Sequence, residues 1–306
     1  MVIKFKSLID LLVALPTEQD CIDYLKQHRW NGIAISPFDP TSKVYECKNN
    51  RYKCKNTNKY FNVKTRTIFE NSKISLQKWL WALFAFSSRK KGISSYQLTR
   101  ELDITQKTAW FMLNRIRYTF DQPNFIKEML KGVVEIDEMF IGGKNKNRHW
   151  NKKVPNSQGR SCKDKIPVWG AIERGGVLIA KATSDNKQST LVPMVRDNIK
   201  AGSNVYSDEL PAYEILGKWF KHEIVNHKTK QYVNGNVSTN TIESAWAPFK
   251  RSVYGIYHNI SRKHAQKYVD EITFRYNTRK YEEKERFDLV LLSSIGKRLT
   301  YQQLIN

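Results

Sequence analysis

The sequence predicts an α/β fold: a mixed sheet with flanking helices, preceded by helical and basic segments. Three observations predict it. From residue 133 onward, short strand-like apolar runs alternate with helix-like stretches in the order strand, strand, strand, helix, strand, helix, strand, helix. Upstream of these runs lies a polar, basic stretch with interleaved aromatic residues. Between the two, a pair of short amphipathic patterns is joined by a polar turn.

The chain has 306 residues, enough for two or three domains. It carries 52 Lys and Arg against 29 Asp and Glu, a net charge of +23. That imbalance favours a polyanionic partner, because basic side chains on phosphates release condensed counterions. Drift toward Lys and Asn in an AT-rich genome is the alternative source of the charge, and its local clustering argues against drift alone. Cys21, Cys47, Cys54 and Cys162 show no disulfide framework, which points to a reducing compartment. The opening MVIKFKSLIDLLVALP resembles a signal peptide superficially, but Asp10 interrupts its apolar run and no small-residue cleavage site follows. An amphipathic helix using Ile9, Leu11, Leu12 and Leu15 is expected instead. No apolar stretch approaches the roughly 20 residues that span a bilayer, so no membrane partner is expected. The expected location is cytoplasmic, with the nucleoid in a bacterium, or the nucleus in a eukaryote.

Residues 1–35 read as an N-terminal helical segment ending at Trp30-Asn31-Gly32. Residues 36–75 form a basic module with short β-like runs such as Lys59–Val63. From Lys43 to Lys91 there are 13 Lys and Arg against two acids, Glu46 and Glu70. Tyr45, Tyr52, Tyr60, Phe61 and Trp79 are interleaved there. Charge that tracks phosphates and rings that pack on sugars or bases suit a nucleic-acid surface; a small solvated domain with core aromatics is the alternative. Residues 76–122 read as helices. Within them Ile93–Ile116 fits a helix-turn-helix, with Leu98 and Leu102 on the first helix and Asp103-Ile104 in the turn. Thr105 caps the second helix, and Ala109, Met112, Leu113 and Ile116 face inward. Gln106, Lys107 and Thr108 then lie at the start of the second helix, where such motifs read bases. Two ordinary packed helices fit the same pattern.

Residues 130–280 carry the α/β pattern. Val133–Ile141 is strand-like, and Gly142-Gly143 opens a loop, Lys144–Lys165, with eight Lys and Arg and one acid, Asp164. This loop is expected to be mobile without DNA. Val168–Ile172 and Val177–Ala182 suggest a hairpin around Arg174-Gly175-Gly176. Leu191–Ile199 looks helical, Asn204–Asp208 and His222–Val225 look like strands, and Asn240 to about Lys280 looks helical. Residues 281–306 are left as a C-terminal tail.

Two aspartates stand out. Asp137 lies inside one strand-like run and Asp208 at the end of another, although Asp is a poor strand residue. An ionised Asp inside a sheet needs a partner or a metal. Glu243 lies in Asn240–Lys250, 35 residues after Asp208, which is itself 71 residues after Asp137. Three carboxylates from separate elements can hold two hard divalent cations, Mg²⁺ or Mn²⁺. Such a pair stabilises the attacking and leaving oxygens of an in-line phosphoryl transfer. Each carboxylate has a plainer reading too. Glu243, three residues after Asn240, also fits a capping box. Asp208 also fits the start of a turn. Asp137 has no such simple alternative. The five histidines 149, 222, 227, 258 and 264 show no metal-ligand spacing and read as phosphate contacts or surface positions.

Read in order, Val134–Lys144, Tyr206–Tyr213, Asn240–Trp246, Lys250–His258 and Phe274–Asn277 resemble the insertion-sequence transposases of the Asp-Asp-Glu type. The closest group is the one whose eukaryotic relatives are the Merlin transposons. Thr67–Ile74, Lys91–Ser95 and Thr105–Met112 are also similar, so the resemblance covers about residues 28 to 280. It implies an RNase H-like catalytic core and a metal-binding triad of Asp137, Asp208 and Glu243. It also points to Lys250, two helical turns after Glu243, as a phosphate contact beside the metals. Pro248 is placed to kink the helix between them, and a solvent-facing lysine is the alternative. Arg251, with Lys144, Lys146, Arg148, Lys152 and Lys153 of the basic loop, is assigned to DNA.

The basic module departs from the family. There it is often a zinc ribbon with two Cys-x-x-Cys pairs, and a structural zinc needs four N or S ligands. The matching places read Ser36-Pro-Phe-Asp39 and Cys54-Lys-Asn-Thr57, with Cys47 outside the pattern. No structural zinc is predicted, and a ribbon shape is expected to persist through packing of Tyr52, Tyr60 and Phe61. The implied reaction hydrolyses a phosphodiester at an element end, frees a 3′-hydroxyl, and uses that hydroxyl to attack target DNA in the same site. Terminal inverted repeats and target DNA are the expected partners, and pairing two ends requires at least a homodimer. A nuclease without strand transfer and a non-catalytic DNA-binding descendant are the rival readings.

Overall fold

The computed structural model describes residues 5–120, 128–143, 145–157, 161–225 and 236–306. The chain divides into two compact units, Met1–Phe120 with Lys280–Asn306, and Asp121–Arg279.

The first unit opens with α1 (Leu8–Ala14) and α2 (Glu18–Trp30). Each is started by a capping box, Ser7 with Asp10 and Thr17 with Asp20, which satisfies N–H groups that the first turn leaves unpaired. Asn31 ends α2 with a left-handed φ of 50°. Leu11 and Leu15 are buried as expected, but Ile9 and Leu12 are exposed. Leu11 and Leu15 are four residues apart and share one stripe; helical periodicity carries Ile9 and Leu12 off it. Strands β1 (Val44–Cys47), β2 (Arg51–Cys54) and β3 (Tyr60–Asn62) form an antiparallel meander. Tyr52, Cys54 and Phe61 face inward, and Trp30 meets Tyr52 and Phe61 edge-on at 5.6 and 5.9 Å. Tyr45, Lys53 and Tyr60 stand opposite one another on the other face, and both tyrosines are exposed. The five interleaved aromatics therefore separate. Tyr45 and Tyr60 are surface residues, whereas Tyr52 and Phe61 are core, because side chains alternate across a strand, and Trp79 is core on the helix that follows.

Helices α3 (Leu76–Ser88), α4 (Ser95–Leu102) and α5 (Gln106–Arg117) follow. Ser75, Ser94 and Thr105 cap them through side-chain oxygens that accept N–H groups of the first turn. Asp103 turns the chain with a left-handed φ of 49°. Leu98, Leu102, Ala109, Met112, Leu113 and Ile116 are all buried.

The second unit is built on a five-stranded mixed sheet of β4 (Val133–Ile141), β5 (Ile166–Glu173), β6 (Leu178–Ala182), β7 (Asn204–Ser207) and β8 (Lys221–Ile224). Its order is β6-β5-β4-β7-β8; β4, β5 and β6 are antiparallel, and β7 and β8 run parallel to β4. Helix α6 (Gln188–Asn198) connects β6 to β7, and a 3₁₀ segment, Pro211–Lys218, connects β7 to β8. Val134, Ile136, Trp169, Ala171 and Val205 pack on one face against α6 and the 3₁₀ segment. Met139, Ile141, Val168 and Ile172 pack on the other, under α7 (Asn240–Ser252) and α8 (Ala265–Asn277). The predicted single helix from Asn240 to about Lys280 is thus two. A π-helical turn, Val253–Tyr257, ends at His258, whose φ of 56° breaks the hydrogen-bond ladder before a 3₁₀ turn at Arg262–His264 restarts it.

Residues expected to form a tail are α9 (Glu283–Ser293) and α10 (Tyr301–Ile305) of the first unit. Phe287 is fully buried and meets Phe5 edge-on at 5.1 Å, and Thr67 pairs with Ile295 in an isolated β-bridge. Among the described residues, no helix is long and apolar enough to cross a membrane.

Candidate active site

Strand parity fixes which carboxylates can meet. On β4, Val134 and Ile136 face α6, so Glu135 and Asp137 face α7. Glu135 pairs with Tyr206 in the parallel register of β4 and β7. Asp137 lies two residues further along β4, and Asp208 immediately follows β7, which ends at Ser207. The parallel pairing of β4 and β7 thus brings two residues that are 71 positions apart to one cleft. Asp137, Asp208, Glu243 and Lys250 line one cleft of about 450 Å³, together with Glu138, Met139, Phe140 and Trp246.

Each carboxylate is held. Trp246 Nε1 donates to Asp137 Oδ2 at 3.1 Å. The ring of Trp246 reaches that position because Gly170, opposite Asp137 on β5, has no side chain: a Cβ there would stand 2.5 Å from two ring carbons. Asp208 is 3% exposed, and its Oδ1 accepts the N–H of Leu210 at 3.1 Å. It does start a turn, as its plainer reading had it, and it lines the cleft as well. Thr239 Oγ1 donates to Glu243 Oε1 at 3.0 Å. The capping box suggested for Glu243 is not formed, since α7 has no side-chain cap from its own N-cap residue, Thr239. Helix α7 runs through Pro248, and Lys250 faces the same cleft as Glu243, two turns on. Tyr213 Oη donates to Glu138 Oε1 from the opposite side of the sheet.

Among the described residues, no group of three or more His, Cys, Asp or Glu side chains is gathered closely enough to hold a metal ion as placed. The donor chemistry of the cleft nevertheless fits a hard divalent ion. Its four acidic lining residues offer only carboxylate oxygens, and among the described residues neither imidazole nor thiol lines it.

The residues assigned to DNA lie in different settings. Gln106 Nε2 donates to Ser95 Oγ at 2.9 Å, Thr108 and Thr105 share a hydroxyl hydrogen bond, and the Lys107 ammonium sits 5.1 Å from the Tyr301 ring centroid. All three are engaged within the first unit, and Lys107 is exposed. Lys144 lies outside the described residues. Lys146, Lys152, Lys153 and Arg251 are exposed. Arg148 is tied down, with Nη2 3.3 Å from Asp164 Oδ2, whose side chain is fully buried. The loop that carries it has more internal structure than expected. It holds 3₁₀ turns at Asn145–Asn147 and Trp150–Lys152, and Asn145 bridges to Val154 through both amide atoms.

In the basic module, Ser36, Cys54 and Thr57 come together where the two Cys-x-x-Cys pairs would stand. Ser36 Oγ accepts the N–H groups of Phe38 and Asp39 at 3.2 and 3.3 Å. Burial alone would push the Cys54 thiol up; hydrogen bonds from Ser36, Ser42 and Thr57 outweigh it and bring the thiol down to about 6. None of the four cysteines is joined in a disulfide.

Sequence reasoning missed Glu135, Gly170, Arg174 and Trp246. Glu135 carried a usable signal: a second acid two residues from Asp137 in an apolar strand faces the same side of the sheet. Gly170 carried one too, as a glycine inside a strand-like run marks a close approach.

Residues 129–277 match the ISXO2-like transposase domain. Over 295 residues the chain is 28% identical to an uncharacterized protein in transposable element ISH50 of Halobacterium salinarum, spanning 91% of this chain and 97% of that one. Over 92 residues it is 32% identical to an uncharacterized transposase-like protein of Haemophilus influenzae, spanning 30% of this chain and 73% of the relative. Among solved structures, the crystal structure of the Mos1 strand transfer complex aligns over 71% of this chain and 78% of that one, at 12% identity and a TM-score of 0.20.

Proposed function

The chain belongs to the insertion-sequence transposases with an ISXO2-like transposase domain, and from that premise we propose that it is a DNA transposase of the Asp-Asp-Glu type. It binds the terminal inverted repeats of its element, hydrolyses a phosphodiester at each end, and joins the freed 3′-hydroxyl to target DNA. The observation that carries the reading is the single cleft lined by Asp137, Asp208, Glu243 and Lys250, which come from three separate elements. We read the sheet that supports them as RNase H-like and the group as the one related to Merlin transposons.

Asp137, Asp208 and Glu243 are the residues that would hold Mg²⁺ or Mn²⁺. Two such ions, when bound, supply charge stabilisation at the attacking and leaving oxygens of an in-line displacement. Lys250 contacts a phosphate oxygen of the bound strand and orients the scissile bond. Trp246 keeps the Asp137 carboxylate turned into the cleft. The reaction needs no covalent bond to the protein, so the same residues serve hydrolysis by water and attack by the 3′-hydroxyl.

Helices α4 and α5, read as a helix-turn-helix, contact the inverted repeats with Lys107 outermost. The outer face of the β1–β3 sheet offers cations over exposed rings, with Arg51 and Lys53 4.7 and 5.6 Å from the Tyr60 ring centroid. That surface suits a nucleic-acid backbone. Lys146, Lys152, Lys153 and Arg251 contact phosphates beside the cleft, and pairing two ends requires at least a dimer.

The test is a plasmid carrying the element's own flanking ends, incubated with Mg²⁺ or Mn²⁺ and either wild-type protein or Asp137→Ala. Metal-dependent cleavage with joined products, lost in the variant, is the expected result. Cleavage without joining would make the protein a nuclease, and binding without cleavage under either metal would overturn the catalytic reading.

A further inference from the structure

Helix α7 carries Glu243, yet the acceptor that caps it comes from elsewhere in the fold. Glu135 Oε2 accepts the N–H groups of Thr241 and Ile242 at 2.8 and 3.0 Å. These are the donors that an N-cap side chain ordinarily satisfies. Glu135 Oε1 accepts from Thr241 Oγ1 at 2.9 Å and from Arg174 Nε at 2.7 Å. Four donors thus converge on a fully buried carboxylate, which fills its capacity. Arg174 extends the clamp. Its Nη1 donates to the carbonyl of Asn236 at 2.8 Å, and its Nη2 donates to the carbonyl and the hydroxyl of Ser238 at 3.2 and 2.8 Å. The backbone N–H of Arg174 also bonds the carbonyl of Val133 at 3.0 Å, which ties the β5–β6 turn to the start of β4.

We propose that Glu135 and Arg174 form a positioning pair that sets the start of α7 against β4 and thereby fixes Glu243 relative to Asp137. The inference rests on reading the cleft as the metal site. Glu135 and Asp137 lie two residues apart on one face of one strand, so a single rigid strand presents one carboxylate to the cleft and uses the other to hold the helix that brings Glu243. Because Glu135 caps the helix, the Thr239 hydroxyl at the N-cap position is turned to the Glu243 carboxylate instead. A negative charge at this helix start also suits the helix dipole. Loss of the pair leaves all three carboxylates present and lets α7 shift.

The experiment compares Glu135→Gln, Arg174→Lys and Asp137→Asn with wild type, and uses Glu173→Gln as a control, since Glu173 bonds the N–H of Lys131 and not α7. Thermal melting reports folding, calorimetry with Mn²⁺ alone reports metal affinity, and single-turnover nicking at saturating DNA reports the chemical step. Partners that orient metal ligands typically change affinity or activity by about ten- to a hundredfold when altered. Glu135→Gln and Arg174→Lys should therefore bind Mn²⁺ about ten- to a hundredfold more weakly. Their nicking should fall in step and recover at raised Mn²⁺, with DNA affinity in EDTA unchanged. Should Glu135→Gln melt below the assay temperature, Arg174→Lys, which keeps the charge and loses the fork, decides alone. Lowered melting with wild-type Mn²⁺ affinity and nicking would mean a purely structural pair and overturn the proposal. If Asp137→Asn also keeps wild-type Mn²⁺ affinity and nicking, the metal-site reading fails and the positioning role falls with it. If Asp137→Asn loses both while the pair variants match wild type, only the positioning role is overturned.

Discussion

Replacing Gly170 with alanine adds one methyl group where the sheet and α7 already touch. The new Cβ would stand 2.5 Å from Cη2 and Cζ2 of Trp246 and 3.4 Å from Cδ1 of Ile242. Carbon atoms in contact settle at about 3.5–4.0 Å, so the indole must withdraw by about 1 Å. It has little room to do so, being 1% exposed and packed beside Phe249. Overpacking of this kind costs about 1–3 kcal/mol. The withdrawal also lengthens the 3.1 Å bond from Trp246 to Asp137, and a hydrogen bond to a charged group contributes about 1.5–3 kcal/mol. Water in the open cleft replaces part of that bond, which sets the total near 2–4 kcal/mol, or about 5–15 °C of melting temperature for a unit of this size. Calorimetric melting checks the stability, and metal-dependent nicking at low temperature checks the site, because Asp137 loses the donor that orients it. Wild-type melting together with wild-type nicking would refute the reasoning, since the methyl group would then have been accommodated without moving the ring.

Thr105→Ala removes the side-chain cap of α5 and should destabilise the first unit by about 1 kcal/mol, read as a lowered urea midpoint with an unchanged slope. Lys250→Ala should leave Mn²⁺ affinity as it is and slow single-turnover nicking; unchanged nicking would make Lys250 a solvent-facing lysine. His222 is held below its ordinary value by burial, with Nε2 2.9 Å from Ser207 Oγ. The unfolded chain therefore takes up a proton on His222 at a higher pH than the folded protein does. The stability it contributes is complete above about 6.5 and is lost as pH falls through the lower folded value. Urea midpoints measured from pH 7.5 downward should fall more steeply for wild type than for His222→Gln, and parallel curves would count against this account. Replacing both Tyr60 and Lys53 with alanine should weaken binding of DNA to the outer face of the β1–β3 sheet without altering the melting of the first unit, because both side chains point away from Trp30 and Phe61.

Most of the second unit was legible because its strands are short, apolar and separated by turn signals. Val133–Ile141 and the hairpin at Arg174–Gly176 follow from alternation and glycine placement. Asp137 and Asp208 were readable as misfits, since a charged side chain in an apolar strand demands a reason. Their meeting in one cleft was not readable, because the pairing of β4 with β7 is set by the long intervening chain between Ile141 and Asn204. The break at His258 was hidden for a different reason: the flanking residues keep helical periodicity, and the left-handed φ belongs to a residue type that gives little warning. In the basic module, charge and aromatic content were visible, but which rings turn inward depends on strand parity. The role of Glu135 was concealed by distance, as the helix start it caps lies more than a hundred residues away.

The path of the chain through its two units has a bearing on how it is made. The second unit is inserted between Phe120 and Lys280, so the first unit lacks α9 and α10 until the residues beyond Lys280 have left the ribosome. At roughly 5–20 residues per second, the stretch from Phe120 to Phe287 takes roughly ten to thirty seconds to synthesise. During that interval Phe5, Tyr24 and Phe84 wait without the ring of Phe287 that closes their core. A chain cut short between Arg279 and Phe287 therefore carries every cleft carboxylate and leaves its first unit unsealed. The core of the first unit therefore closes only after the whole of the second unit has been synthesised.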